Sequence, residues 1–267
     1  MSKETAAATD QGRRAQGRVR GGPLYRLDHP SGHASTSGKI CSMRLGIAHH
    51  FGWAVAVTAS RDFEVIDRRR IELIEPGLPA APIHHEGGTH EMHGSGEPLD
   101  DEGLEALVAE VRASVVRMTA ISIDELVVAL PAPIISLAIR EWPSDFPEGI
   151  ATQRRPPYES RADSVMYCKI LAEVAAERGW EICTYDAKSV EAKAAAILGQ
   201  RAGEVLHGPR KALGPPWSKD HRTALAATIV QSDDRTARPH DHPNALTTSA
   251  LETTGKAGLT QTGARWQ

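Results

Sequence analysis

The sequence predicts an α/β fold, a mixed sheet opened by an antiparallel hairpin and flanked by helices, with an unstructured tail at either end. Three observations carry this. Short apolar runs of β-type residues alternate with segments whose apolar residues recur every three or four positions. The first two such runs, Leu45–Ala48 and Trp53–Thr58, are separated by a short segment containing Gly52, which is hairpin spacing. Residues 1–42 and 233–267 are rich in Gly, Ser, Thr, Pro and Ala and keep neither period, which places one domain at 43–232 between two disordered tails. A chain begun at Met43 would lose little of that domain.

Each element follows from local pattern. After the hairpin, Phe63–Ile74 alternates as Phe63, Val65 and Asp67, with Ile71 and Leu73 later, and reads as a third antiparallel strand carrying Arg68, Arg69 and Arg70. Residues 75–97 hold Gly, Pro, acids and histidines and read as a long loop. Asp100 and Asp101 open a helix with apolar Leu104, Leu107, Val108, Val111 and Val115, acids suiting the positive end of its dipole. Leu126–Leu130 and Ile134–Ile139 are short buried runs broken by Pro131 and Pro133, and the second is expected as a central strand. A helix over Ala162–Arg178 stops at Gly179 and leads into a strand over Trp180–Tyr185. Two last helices fit Val190–Leu198 and Lys219–Val230, the latter after Gly214-Pro215-Pro216.

Composition narrows the class. A chain of 267 residues with 40% hydrophobic content can bury a sizeable core. No run approaches the ~18 apolar residues of a membrane span, and the polar start has no signal-peptide apolar centre, so a cytoplasmic, membrane-free protein is expected. Cys41, Cys168 and Cys183 are odd in number and far apart, which predicts free thiols. Residues 1–42 carry 7 basic and 3 acidic side chains, whereas 43–232 carry 20 and 27. The acidic balance of the domain argues against a broadly basic nucleic-acid binder and leaves local patches open. The chain has no Gly-rich phosphate loop, Gly-x-Ser-x-Gly elbow, His-Glu-x-x-His motif or Cys-x-x-Cys pair, which removes support for several kinase, hydrolase, protease and thioredoxin-like chemistries.

The text LGIAHHFGWAVAV, with Leu45, Gly46, Ile47, Gly52 and Trp53, resembles the opening hairpin of the Holliday-junction-resolvase branch of the RNase H-like superfamily. There the first strand ends in a catalytic Asp, and an aromatic-led strand returns after a glycine. Lys219-Asp220-His221-Arg222-Thr223-Ala224-Leu225-Ala226-Ala227 is similar to that branch's final helix, in which acids precede an Ala-Leu-Ala-rich face. The resemblance covers about residues 43–230 and implies carboxylates around two divalent ions, Mg²⁺ or Mn²⁺, that activate water against a phosphodiester. It also implies that Ala48 stands at the first acid's position, Glu141 near the second, and Asp220 in the final helix without a second acid at His221 or Thr223.

Each candidate has two readings. His49 and His50, at the end of a central strand, are imidazole donors suited to Zn²⁺ or Mn²⁺, or turn residues. Asp186 is a ligand or an N-cap, and Asp220 a ligand or a first-turn acid. Glu141 is an acid of the site or a strand-end surface residue. The loop residues His84, His85, His90 and His93, with Glu86 and Glu91, follow no recognised zinc spacing and also suit a solvated surface. Arg210, Lys211, Lys219 and Arg222, with Lys188 and Lys193, could hold a phosphate backbone or be a solvated face. Trp217 could stack on a base or plug a loop against the core. Two functions follow: a metal-dependent nuclease in which His49 or His50 joins Glu141, Asp186 and Asp220, or a non-catalytic RNase H-like module that binds nucleic acid or a protein.

Overall fold

The computed structural model describes residues 42–87 and 98–237, the last five as backbone alone. Most of the two expected tails, Cys41, and the loop residues His90, Glu91 and His93 lie outside the described residues, whereas Ser42 is described as buried and residues 233–237, expected in the C-terminal tail, continue the last helix.

The strands are β1 (Met43–His49), β2 (Trp53–Ala59), β3 (Val65–Glu72), β4 (Ile134–Arg140) and β5 (Glu181–Tyr185), in the order β3-β2-β1-β4-β5. β1 to β3 pair antiparallel, while β4 and β5 run parallel to β1. The helices are α1 (Asp101–Val128), α2 (Ile150–Gln153), α3 (Glu159–Glu177), α4 (Val190–Leu198), α5 (Ala202–His207), α6 (Pro209–Leu213) and α7 (Lys219–Ala237). The fold is therefore the expected α/β one, a five-stranded mixed sheet flanked by helices. The hairpin, the strands over 134–140 and 181–185, and α4 fall where alternation placed them. Among the described residues no helix is long and apolar enough to cross a membrane.

The alternation of β1 assigns its two faces. Leu45 and Ile47 pack with Val111 and Val115 of α1 and Met166, Tyr167 and Ile170 of α3. Ala48 packs on the other side with Val55, Val57 and Ala138, under Ala224 and Leu225 of α7 and Val190 and Ala194 of α4. Contact with α7 demands Gly46, because a Cβ there would lie 1.9 Å from the Ala224 carbonyl oxygen. Gly52 turns the hairpin with φ +80°.

The run Leu126–Leu130 is not a separate segment. Leu126 is buried on the same stripe as Leu104, Val108, Val111, Val115, Thr119 and Ile123, so the helical period continues to Val128 in spite of the β-branched residues. Asp100 caps α1, its Oδ1 accepting from the Gly103 N–H at 2.8 Å. Within the expected loop, Ile83–Gly87 forms a single π-helical turn. Its Ile83 and His84 amides donate to the buried Asp163 carboxylate at 3.2 and 2.9 Å. Burial pushes that carboxyl up to about 7. The short helices α2, α5 and α6 had no sequence signal long enough to reveal them.

Candidate functional site

β1 has an antiparallel neighbour on one side and a parallel one on the other, and α/β sheets open a crevice at the strand ends where pairing changes sense. Pairing of β1 with β4 stops at Gly46 and Ala138, although β1 runs on to His49. The Ile47 carbonyl beyond that point accepts instead from the Tyr185 hydroxyl at 2.7 Å, a bond that reaches from β5 across the end of β4. A cleft of about 310 Å³ opens there. Its walls are His49, His50 and Phe51 after β1, Arg140, Glu141 and Trp142 after β4, and Ser160, Arg161, Ser164 and Cys168 of α3.

His49 follows the parity of Leu45 and Ile47 and faces α3. Its Nε2 lies 3.0 Å from Ser164 Oγ and 3.6 Å from Cys168 Sγ. Burial pushes its imidazole down to about 3, and the positive Arg140 and neighbouring His50 add to the shift. Burial likewise pushes the Cys168 thiol up to about 12. Both groups are therefore neutral near pH 7, so the pair lacks the thiolate and imidazolium that cysteine nucleophiles use.

His50 turns the other way. Its Nε2 meets Asp220 Oδ2 at 3.2 Å, and its ring stacks on Trp53 with centroids 4.2 Å apart and planes 14° from parallel. The Arg70 guanidinium lies 4.1 Å from the Trp53 ring centre and is held by Glu72 at 2.7 Å. Arg70, Trp53 and His50 thus form a column on the hairpin, and Phe51, 38% exposed, follows it at the cleft.

Of the expected ligand set only His50 and Asp220 are brought into contact. His49 faces Ser164 on the α3 side, whereas Asp220 is held by His50 at the start of α7. Asp186 uses its carboxylate locally, accepting from the Lys188 amide at 2.9 Å and the Ser189 hydroxyl at 2.8 Å. Those bonds hold its carboxyl below the ordinary value and shape the turn that leads to Ser189, the N-cap of α4, so Asp186 serves a local turn and does not cap the helix itself. Glu141 lines both the β1 cleft and a second one of about 410 Å³ beside Asp186 and Lys193. Among the described residues no group of three His, Cys, Asp or Glu side chains is placed to hold a metal ion. One imidazole and one carboxylate do not make the oxygen-rich donor set that two Mg²⁺ ions require.

The expected basic patch is also divided. Trp217 is buried, its Nε1 donating to the Leu206 carbonyl at 2.8 Å, so its ring plugs the core and is unavailable to a base. Arg222 is engaged by Glu191 at 3.2 Å, the same carboxylate that accepts from Thr223 at 3.1 Å and locks α4 to α7. His221 accepts from the Ser218 amide at 3.2 Å and fastens the entry to α7. Arg68 donates to the carbonyls of Leu213, Gly214 and Pro216 and ties β3 to that loop. Arg210, Lys211 and Lys219 remain exposed.

Sequence reasoning missed Arg140, Arg161, Ser160, Ser164 and Cys168. Two signals were present. A charged residue closing an otherwise apolar central strand, as Arg140 closes Ile134–Ile139, sits where α/β sites form. Ser160, Ser164 and Cys168 recur every four positions, a small polar stripe on one face of α3. No protein-family model matches the chain, and no curated protein matches it.

Proposed function

We propose that the chain is a non-catalytic RNase H-like module that binds nucleic acid. The observation that carries the reading is the make-up of the strand-end site: Ala48 at the end of β1, the guanidinium of Arg140 at the end of β4, and two separate carboxylates, Glu141 after β4 and Asp220 engaged by His50. A positive side chain and a methyl group suit holding a polyanion and do not supply the acids that activate water through two ions. The strand order β3-β2-β1-β4-β5, with the first three antiparallel, supports the family part of the reading. The Arg70, Trp53 and His50 column and Phe51 support the ligand part, because stacked rings beside cations receive bases without regard to sequence.

The test is fluorescence anisotropy of labelled single strands, duplexes and four-way junctions with the full chain, with cleavage followed on gels in Mg²⁺ or Mn²⁺. Salt-dependent binding without cleavage supports the reading. Metal-dependent cleavage abolished by Asp220→Asn would replace it with the nuclease alternative, for which the His50 and Asp220 pair is the remaining structural support.

A further inference from the structure

We infer that the cleft beside β1 seats a phosphate group of the bound strand between Arg140 and Arg161, with the Ser160 and Ser164 hydroxyls as further donors. The inference rests on the nucleic-acid reading and locates one subsite within it. Arg140 carries the argument. Its Nε is buried, and neither that atom nor the rest of the guanidinium has a hydrogen-bond or ion-pair partner among the described residues. A guanidinium nitrogen taken out of water without a partner is costly, and the planar fork of a half-buried guanidinium matches the oxygens of a phosphate two at a time.

The surroundings suit the same ligand. Arg161, exposed on the α3 wall, also lacks a partner among the described residues. Ser160 and Ser164 stand on that wall one helical turn apart. Among the described residues Glu141 is the one carboxylate on the lining, against the two guanidinium groups of Arg140 and Arg161. A volume of about 310 Å³ far exceeds the ~30 Å³ share of a water molecule and leaves room for a phosphate with its sugar. Phe51 at the mouth offers its ring to the attached base. The phosphate can come from within a strand or from its terminus.

The experiment compares the full chain with Arg140→Gln, Arg161→Gln and Arg140→Lys, using short single-stranded oligonucleotides that carry either a 5′-phosphate or a 5′-hydroxyl. Each Gln variant is expected to weaken binding by about tenfold and to lower the salt slope by about one, with Arg140→Lys recovering part of the loss. Preference for the phosphorylated strand identifies a terminal phosphate, and equal binding identifies an internal one. Oligonucleotide binding that both Gln variants leave unchanged in affinity and slope overturns the subsite while the module reading stands. If no oligonucleotide binds, inorganic phosphate decides: thermal stabilisation of the wild type that is reduced in Arg140→Lys and lost in Arg140→Gln retains an anion site and overturns the nucleic-acid reading. No stabilisation overturns both.

Discussion

His49 and Asp163 should oppose one another in the pH dependence of stability, and substituting either one will expose the other. His49 has an ordinary value of 6.5 and is pushed down to about 3 in the folded chain. Between those values the unfolded state binds the extra proton, so this contribution is whole above pH 6.5 and is lost as pH falls toward 3. From pH 7 to pH 5 the loss is about 2 kcal/mol. Asp163 is raised from 3.8 to about 7, so the folded state binds the extra proton across that window. Its contribution is whole below the unfolded value and is lost as pH rises toward 7, which amounts to a gain of about 2 kcal/mol on going from pH 7 to pH 5. The two shifts nearly cancel in the native chain. His49→Gln should therefore become more stable at pH 5 relative to pH 7, by about 2 kcal/mol compared with wild type, and Asp163→Asn less stable by a similar amount. Urea unfolding of the three proteins at pH 5, 6 and 7 reads this directly, because a constant cost of either substitution drops out of the pH difference. A His49→Gln protein whose stability follows pH as the wild type does would refute the assignment of His49 as a buried neutral imidazole.

Three further outcomes test the packing that shapes the site. Gly46→Ala forces a Cβ to within 1.9 Å of the Ala224 carbonyl and should cost about 3 kcal/mol or prevent folding, whereas Gly149→Ala, with nothing within 4 Å, should be nearly silent in the same denaturant titration. Tyr185→Phe removes the donor to the Ile47 carbonyl and should cost about 1–3 kcal/mol, seen as a lower urea midpoint at unchanged slope. Asp220→Asn leaves a half-exposed His50 contact and should change stability by less than about 1 kcal/mol; a larger loss would show that the pair has a structural role beyond its exposed geometry.

The sheet was legible because alternation and hairpin spacing are local. Leu45 to Val57 state both faces of the first two strands, and the same parity that buries Ile47 assigns His49 to α3. What misled was the pairing of neighbours: His49 and His50 are adjacent in sequence, and adjacency at a strand end sends them to opposite sides. Trp217 shows the same limit, since its burial depends on Leu206, eleven residues earlier, which only the folded path of α5 and α6 brings to its ring. The end of α1 differs from its local sequence pattern for an energetic reason: Val127 and Val128 have β propensity, but the stripe through Ile123 and Leu126 is buried by tertiary contact, which outweighs it. Arg140 went unremarked because an arginine's meaning depends on having no partner, a property that exists only in three dimensions.

The close seating of α7 on Gly46 also sets an order of assembly. The central strand is the first element the ribosome delivers among those described, and the helix that covers its second face is the last. Until α7 emerges, the apolar face formed by Val55, Val57 and Ala138 lacks Ala224 and Leu225 and has α4 beside it, although the side covered by α1 and α3 can already be complete. Nascent chains halted before Lys219 should thus present half of a finished domain and a sticky sheet, the kind of intermediate that holdase chaperones recognise and that self-associates when released too early.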